Sequence, residues 1–386
     1  MRGAPDPFQG AERFAEAAAS VVEAESDERD AARRALALLA EAGWLGWTVP
    51  ARDGGCDAGE LAPSTEVSVR ALCAVRRALA WASGMLDVVF VMQGLGSYAI
   101  ARAGSERQRA EILPRVARGE LVAAFALTEP GAGSNLAAIE TRATREGDGW
   151  RLTGRKTFIS NAGIADFYSL LARTGGAAGE EGDTSRAFSM FHVPAQSEGL
   201  VVHPFEVIAP HPIGELELRD VPLGADALIG AEGEGLELAL ATLRRFRTSV
   251  AAAATGFARR ALDESVAHLA AREQFGRPLS SFQGLRFEVA EMDVRLRAAE
   301  LLVAEAAEAV DNGLEATSEI ARAKLFATEA ASWIADRAVQ HLGGRGVRRG
   351  EAVERVFREV RALRIYEGTS EIQKLILAKE IFSERG

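Results

Sequence analysis

The feature that most restricts the fold is a hydrophobic period that changes twice along the chain. From about residue 8 to 120, apolar residues recur at helical spacing, as over 31–42, 66–80, 87–103 and 106–118. Gly54-Gly55 and Gly104 punctuate these stretches. Near residue 122 the pattern shortens to strands over 122–127, 139–145, 150–153, 157–160, 167–172, 188–193, 199–203 and 216–218. Asp148-Gly149 is a hairpin turn signal between two of them. After Gly233-Glu234-Gly235 the helical period returns as one very long Ala- and Arg-rich stretch over 236–272. Long helices follow over 283–311 and 315–342, then two shorter ones after Gly350 and Gly368.

That order predicts an α+β, mainly α fold in three parts. They are an N-terminal all-α domain over 1–121, a middle β-barrel or sandwich over 122–231, and a C-terminal four-helix bundle over 232–386. Helices this long bury little of themselves alone, so the bundle is expected to pack against other subunits. One glycine-rich loop, 174–183, reads as a mobile surface connection.

Composition narrows the function classes. The 386 residues carry a formal charge of −10, which argues against general affinity for nucleic acid or anionic membranes. A polyanionic ligand then needs a local arginine cluster. Cys56 and Cys73 cannot build a disulfide framework, and the five histidines (His192, His203, His211, His268, His341) never fall at metal-ligand spacing, so no metal is expected. No apolar run of 18 residues occurs, and the start Met1-Arg2-Gly3-Ala4-Pro5-Asp6 lacks a signal core. A cytoplasmic protein without a membrane span is the expectation.

Several short runs carry chemistry. Phe125 to Asn135 reads as a strand ending in a glycine-rich turn, with Thr128 and Ser134 offering hydroxyls near Gly131 and Gly133. No Lys follows the glycines, so it is not a nucleoside triphosphate loop. Lys156-Thr157-Phe158-Ile159-Ser160-Asn161 offers an aromatic wall and a further hydroxyl. Arg272 and Arg277 flank Phe275-Gly276 where the long helix breaks, and can bind phosphate or cap a helix C-terminus. Gln340-His341-Leu342-Gly343-Gly344 reads as a helix end with a glycine cap. Ile365-Tyr366-Glu367-Gly368-Thr369-Ser370-Glu371-Ile372-Gln373 sets one carboxylate on a glycine elbow before a helix. The Ser370/Gln373 spacing is that of a capping box. Glu367 can act as a general base in a dry cleft or merely complement the helix dipole.

Taken in order, these runs resemble the acyl-CoA dehydrogenase family over nearly the whole chain. The resemblance implies the helical, β and four-helix-bundle domains expected above, with FAD as cofactor. It implies that Thr128 meets the pyrimidine edge of the flavin and Ser160 its N5 region. Phe158 would cover the ring, and Phe125, Leu127, Gly133, Ser134, Ile159, Thr369 and Glu371 match further flavin positions. Arg272, Phe275, Gln283, Gln340, Gly343 and Gly344 match pyrophosphate and adenosine positions contributed across a dimer interface, hence a homodimer or homotetramer. Ser134, Arg247, Tyr366 and Gly368 match acyl-CoA positions, and Arg244-Arg245-Phe246-Arg247 would supply the basic cluster.

The resemblance makes Glu367 the base that removes the α-proton of an acyl thioester while the β-hydrogen leaves as hydride, giving a trans-2-enoyl product. It implies an electron-transfer flavoprotein as acceptor and a role in fatty acid metabolism. One branch of the family carries its base where this chain has Phe246. Three departures stand out: Arg244 where many relatives have Asp, the apolar loop 207–214 containing His211, and Ser160 for Thr. Arg244 motivates an alternative in which a carrier-protein thioester is the substrate. A flavin oxidase or monooxygenase and a non-catalytic helical assembly protein are the other readings.

Overall fold

The computed structural model describes residues 4–175 and 186–383. Most of the 174–183 loop lies outside the described residues. Ten α-helices and ten strands are formed among the described residues, and they gather into two compact units that do not follow chain order. One unit takes Ser20–Ser68 and the described part of Val88–Phe246 with Ala4 and Pro5. The other takes Asp6–Ala19, Val69–Asp87 and Arg247–Gly386.

The first unit is built on a sheet of eight strands: β1 (Ala123–Ala126), β2 (Arg142–Glu146), β3 (Gly149–Ser160), β4 (Phe167–Arg173), β5 (Phe188–Pro194), β6 (Leu200–Pro204), β7 (Ile213–Leu223) and β8 (Leu228–Ile229). The order is β6-β7-β3-β2-β4-β5-β8, with β1 parallel to β4. The barrel-or-sandwich expectation thus resolves to one hydrogen-bonded sheet. Every residue of β4 is buried, and the strand is apolar apart from Ser169 and Arg173, as suits a strand covered on both faces. Tyr168, Leu170, Phe191 and Leu216 fill one core; Phe167, Leu171, Phe188 and Met190 fill another with Ile100 of α4 (Gly84–Ala103) and Leu113 and Val116 of α5 (Glu106–Ala117).

The two runs expected as separate strands, 150–153 and 157–160, are one bulged strand. Its pairing with β7 slips between Leu152 and Gly154 and again between Lys156 and Ile159. The second slip carries Phe158, whose φ of +55° belongs to the left-handed region.

The second unit is helical. α3 (Val69–Ala82), the end of α6 (Gly235–Ala271), α7 (Gln283–Asp311), α8 (Thr317–Leu342) and α9 (Ala352–Leu363) share one core, with α10 (Ser370–Ser383) packed on α8. Ala254, Ala261, Ala299, Ala327 and Ala331 line the contacts, and such small side chains let helix axes approach closely. Asp311 closes α7 and accepts from the main-chain N–H groups of Val69 and Arg70 at 2.7 and 3.0 Å, so it also caps α3. α4 is long and apolar enough to cross a membrane by composition, yet 89% of that window is buried by packing.

Candidate active site

In the helical unit the turn between α9 and α10 is held by main-chain contacts. Glu367 has φ +52° and Gly368 φ +93°. A left-handed backbone costs a non-glycine residue about 1–2 kcal/mol, so the turn needs outside support. Arg247 on α6 donates from Nε to the Glu367 carbonyl at 2.8 Å. Lys324 on α8 donates from Nζ to the Gly368 carbonyl at 2.7 Å, and Gln373 Nε2 reaches the same oxygen at 2.9 Å. Glu329, also on α8, accepts from Arg364 Nε at 2.9 Å and from the Ser370 hydroxyl at 2.7 Å.

The expected capping box is therefore corrected. α10 is capped by Thr369, whose Oγ1 accepts from Ile372 N at 3.3 Å, while Ser370 and Gln373 spend their side chains on Glu329 and on the turn. The Ser-x-x-Gln spacing is genuine, but the elbow draws both groups away from the helix start.

Glu367 is half-buried, and its Oε2 is shielded from solvent with no hydrogen-bond partner among the described residues. Burial pushes its carboxyl above the ordinary carboxylate range; Arg76, Arg247 and Lys324 pull it down, and Asp87 pushes it up again. Burial also lowers the Lys324 ammonium to about 8, with the Glu367 charge opposing the fall. Arg76 on α3 is almost wholly enclosed and pairs bidentately with Asp87 at 2.8 and 2.7 Å, its third nitrogen reaching Ser249 Oγ at 2.9 Å. Sequence reasoning missed Arg76, Asp87 and Lys324. An arginine or lysine on an amphipathic helix normally signals a wet face, and only tertiary packing makes these interior.

Of the arginines in the expected basic cluster, Arg245 pairs with Glu66 at 2.8 Å, Arg247 donates to the Glu367 carbonyl, and Arg244 is exposed. Phe246 is fully buried, edge-on to Tyr98 with ring centroids 5.8 Å apart, and a Cβ at Gly94 would collide with its ring.

In the sheet unit, Lys156 ties the glycine-rich turn to β3. It is completely buried and donates to the Leu127 carbonyl at 2.9 Å and to Glu129 Oε1 at 2.8 Å. Glu129 further accepts from the N–H groups of Glu140 and Thr141 at 2.7 and 3.0 Å. Burial lowers Lys156 to about 8 against the pull of Glu129. Burial alone would raise Glu129, but Lys156 and these donors hold it below the ordinary range. Thr157 N donates to the Thr128 carbonyl at 2.9 Å, so Thr128 and Phe158 are brought together. Phe158 is 61% exposed, its ring edge-on to Phe205. Ser160 Oγ lies 3.2 Å from His211 Nε2, and His211 Nδ1 lies 2.9 Å from the Ala209 carbonyl. Burial lowers His211; the neutral ring then donates from Nδ1, and Ser160 donates to Nε2.

Phe125 is half-buried, Leu127 and Ile159 are buried in the sheet cores, and Gly133 and Ser134 are exposed on the turn. Phe275 and Gly276 form the two-residue loop between β9 (Glu273–Gln274) and β10 (Arg277–Pro278), both with positive φ. Phe275 is 92% exposed there, an unusual place for a bare aromatic ring. Arg272, Gln283 and Gln340 are exposed, Tyr366 is partly exposed, and Gly343 and Gly344 have open space where a Cβ would stand. Glu371 is exposed in the first turn of α10.

Family models for the N-terminal, middle and C-terminal domains of acyl-CoA dehydrogenase match residues 8–120, 124–221 and 233–382. A protein named 3-(aryl)acrylate reductase from Clostridium sporogenes is 35% identical over 89% of this chain and 88% of its own. A short-chain specific acyl-CoA dehydrogenase from Clostridium acetobutylicum is 38% identical over 72% of this chain and 73% of its own. The solved structure of butyryl-CoA dehydrogenase from Megasphaera elsdenii superposes with a TM-score of 0.87 at 28% identity, covering 99% of this chain and 100% of that one.

Proposed function

The chain belongs to the acyl-CoA dehydrogenase family of flavoprotein oxidoreductases, and from that premise we propose that it oxidises an acyl-CoA thioester to the trans-2-enoyl thioester with Glu367 as base. The observation that carries this reading is the Glu367 carboxyl itself: shielded, raised in proton affinity, and with Oε2 free of protein partners among the described residues. A base that must take a weakly acidic α-proton gains from such a setting. The main-chain N–H of Glu367 donates to no protein acceptor among the described residues, which leaves it for the thioester oxygen as negative charge develops.

The residues present fit FAD. The hydroxyls of Thr128 and Ser160 and the exposed ring of Phe158 stand on two segments joined by Lys156, and Gly131 and Gly133 leave open space where a Cβ would stand. FAD, if bound, would supply a two-electron acceptor for the β-hydrogen. Thr128 and Ser160 would hold its ring edge, Phe158 would cover a face, and Glu367 would take the α-proton.

Exposed Phe275, together with Phe287, Val294 and Leu301 at seven-residue intervals along α7, supports assembly into at least a homodimer that completes the adenosine end of the cofactor site. An electron-transfer flavoprotein is the acceptor in this reading. Arg244, exposed where many relatives have Asp, favours a second substrate class, a carrier-protein thioester.

The deciding experiment assays purified protein with butyryl-CoA, longer acyl-CoA thioesters and an acyl-carrier protein, using a dye acceptor. Glu367→Gln should keep its flavin spectrum and lose about 10³-fold or more in turnover. Full activity of that variant with FAD bound would overturn the assignment.

A further inference from the structure

Two cations meet the main chain of the Glu367 turn at successive carbonyls, Arg247 at Glu367 and Lys324 at Gly368. We propose that Lys324 is a positioning residue for the base: its ammonium holds the Gly368 carbonyl, keeps Glu367 in its left-handed conformation, and places a positive charge beside the shielded carboxyl. The proposal rests on the reading of Glu367 as base and extends it to a residue that touches neither substrate nor cofactor in that reading.

The geometry argues for a dedicated role. Lys324 is fully buried on the bundle side of α8, where an ammonium is costly unless something requires it. The hydrogen bond that meets it in the structure ends on the carbonyl directly after Glu367. A structural tether was already available, since Glu329, five residues along α8, anchors Arg364 and Ser370 on either side of the turn. A neutral donor also reaches the same carbonyl through Gln373. What Lys324 adds to these is positive charge beside a carboxyl whose own burial resists ionisation.

The charged groups that face Glu367 come from four elements: Arg76 on α3, Asp87 on α4, Arg247 on α6 and Lys324 on α8. Those that act on Lys324 are Glu367, Arg247, Glu329 and Glu371. Arg76 is the strongest of the three cations acting on Glu367, partly offset by its partner Asp87, and Arg247 and Lys324 are the two that also bond the turn itself. Burial has brought Lys324 down to about 8, so its charge is itself titratable within a usable pH range.

Two variants separate holding from charging. Lys324→Gln keeps a donor and removes the charge; Lys324→Met removes both. The reading is the pH profile of kcat/KM with butyryl-CoA as probe, beside Glu367→Gln, with flavin content and thermal unfolding measured on each protein. Both Lys324 variants should shift the acid limb about one unit upward, because the neighbouring cation no longer favours the carboxylate. Lys324→Met should in addition lower the plateau about tenfold through kcat more than KM, while Lys324→Arg should restore the acid limb. An unmoved acid limb in Lys324→Gln overturns the proposal, as does a loss that merely tracks unfolding. Should Lys324→Met not accumulate as folded protein, Lys324→Gln decides alone. If Glu367→Gln remains active, the failure lies with the base assignment; if it is dead while Lys324→Gln behaves as parent, the failure lies with Lys324.

Discussion

Arg247 donates to the main-chain carbonyl of Glu367, at 2.8 Å, and so fixes the backbone that carries the carboxyl. A cation bonded to the carboxyl itself would occupy the oxygen that a base must keep free. By gripping the peptide instead, Arg247 leaves Oε2 without a partner while its charge still favours the carboxylate.

The raised proton affinity of Glu367 should appear in stability as well as in rate. A group whose folded pKa lies above its unfolded value adds stability below about pH 4.3 and loses it as pH rises through the folded value. Glu367→Gln should therefore melt higher than the parent at pH 8, by about 1–3 °C, and the gap should close towards pH 4. Differential scanning calorimetry across that range checks the sign.

The Arg76–Asp87 pair should be expensive to break and cheap to remove whole. Arg76→Leu leaves Asp87 enclosed without its partner and should cost about 3–5 kcal/mol in urea unfolding. The double change to Leu at both positions should regain most of that loss. In the pH profile the single variant should move the acid limb upward, since Arg76 favours the Glu367 carboxylate.

Lys156→Met should act on cofactor retention. It removes the cation facing Glu129 and frees the Leu127 carbonyl, so among the described residues the turn bearing Thr128 keeps only the Thr157 N–Thr128 carbonyl bond as its tie to β3. The expected result is a loss of about 3 kcal/mol in stability and release of flavin fluorescence at lower temperature than in the parent. Adding Glu129→Gln should recover stability without recovering flavin retention.

Much of this was legible in advance. The two changes of period marked where helices give way to the sheet and return, because an amphipathic helix and a buried strand impose different spacings on apolar residues. Glu367 stood out through Gly368 and the helix signal after it. The bulged course of β3 did not, since 154–156 separates two apparent strands; the buried Lys156 there meets Glu129 of the glycine-rich turn. Lys324 and Arg76 were hidden for a related reason. A charged residue on a helix is assigned to water unless its partners are known, and theirs lie 44 and 11 residues away in the chain.

The helical unit is assembled from Asp6–Ala19, Val69–Asp87 and a stretch that begins only at Arg247. During synthesis, α3 leaves the ribosome long before the helices it packs against exist, and its apolar face must wait for more than half the chain to emerge. Arg76 and Asp87 can pair within that early segment, but Ser249 comes much later and the Glu367 turn near the end of the chain. The turn that carries Glu367 is thus completed only when the last stretch of chain has emerged, and a chain truncated before α9 would lack the proposed base altogether.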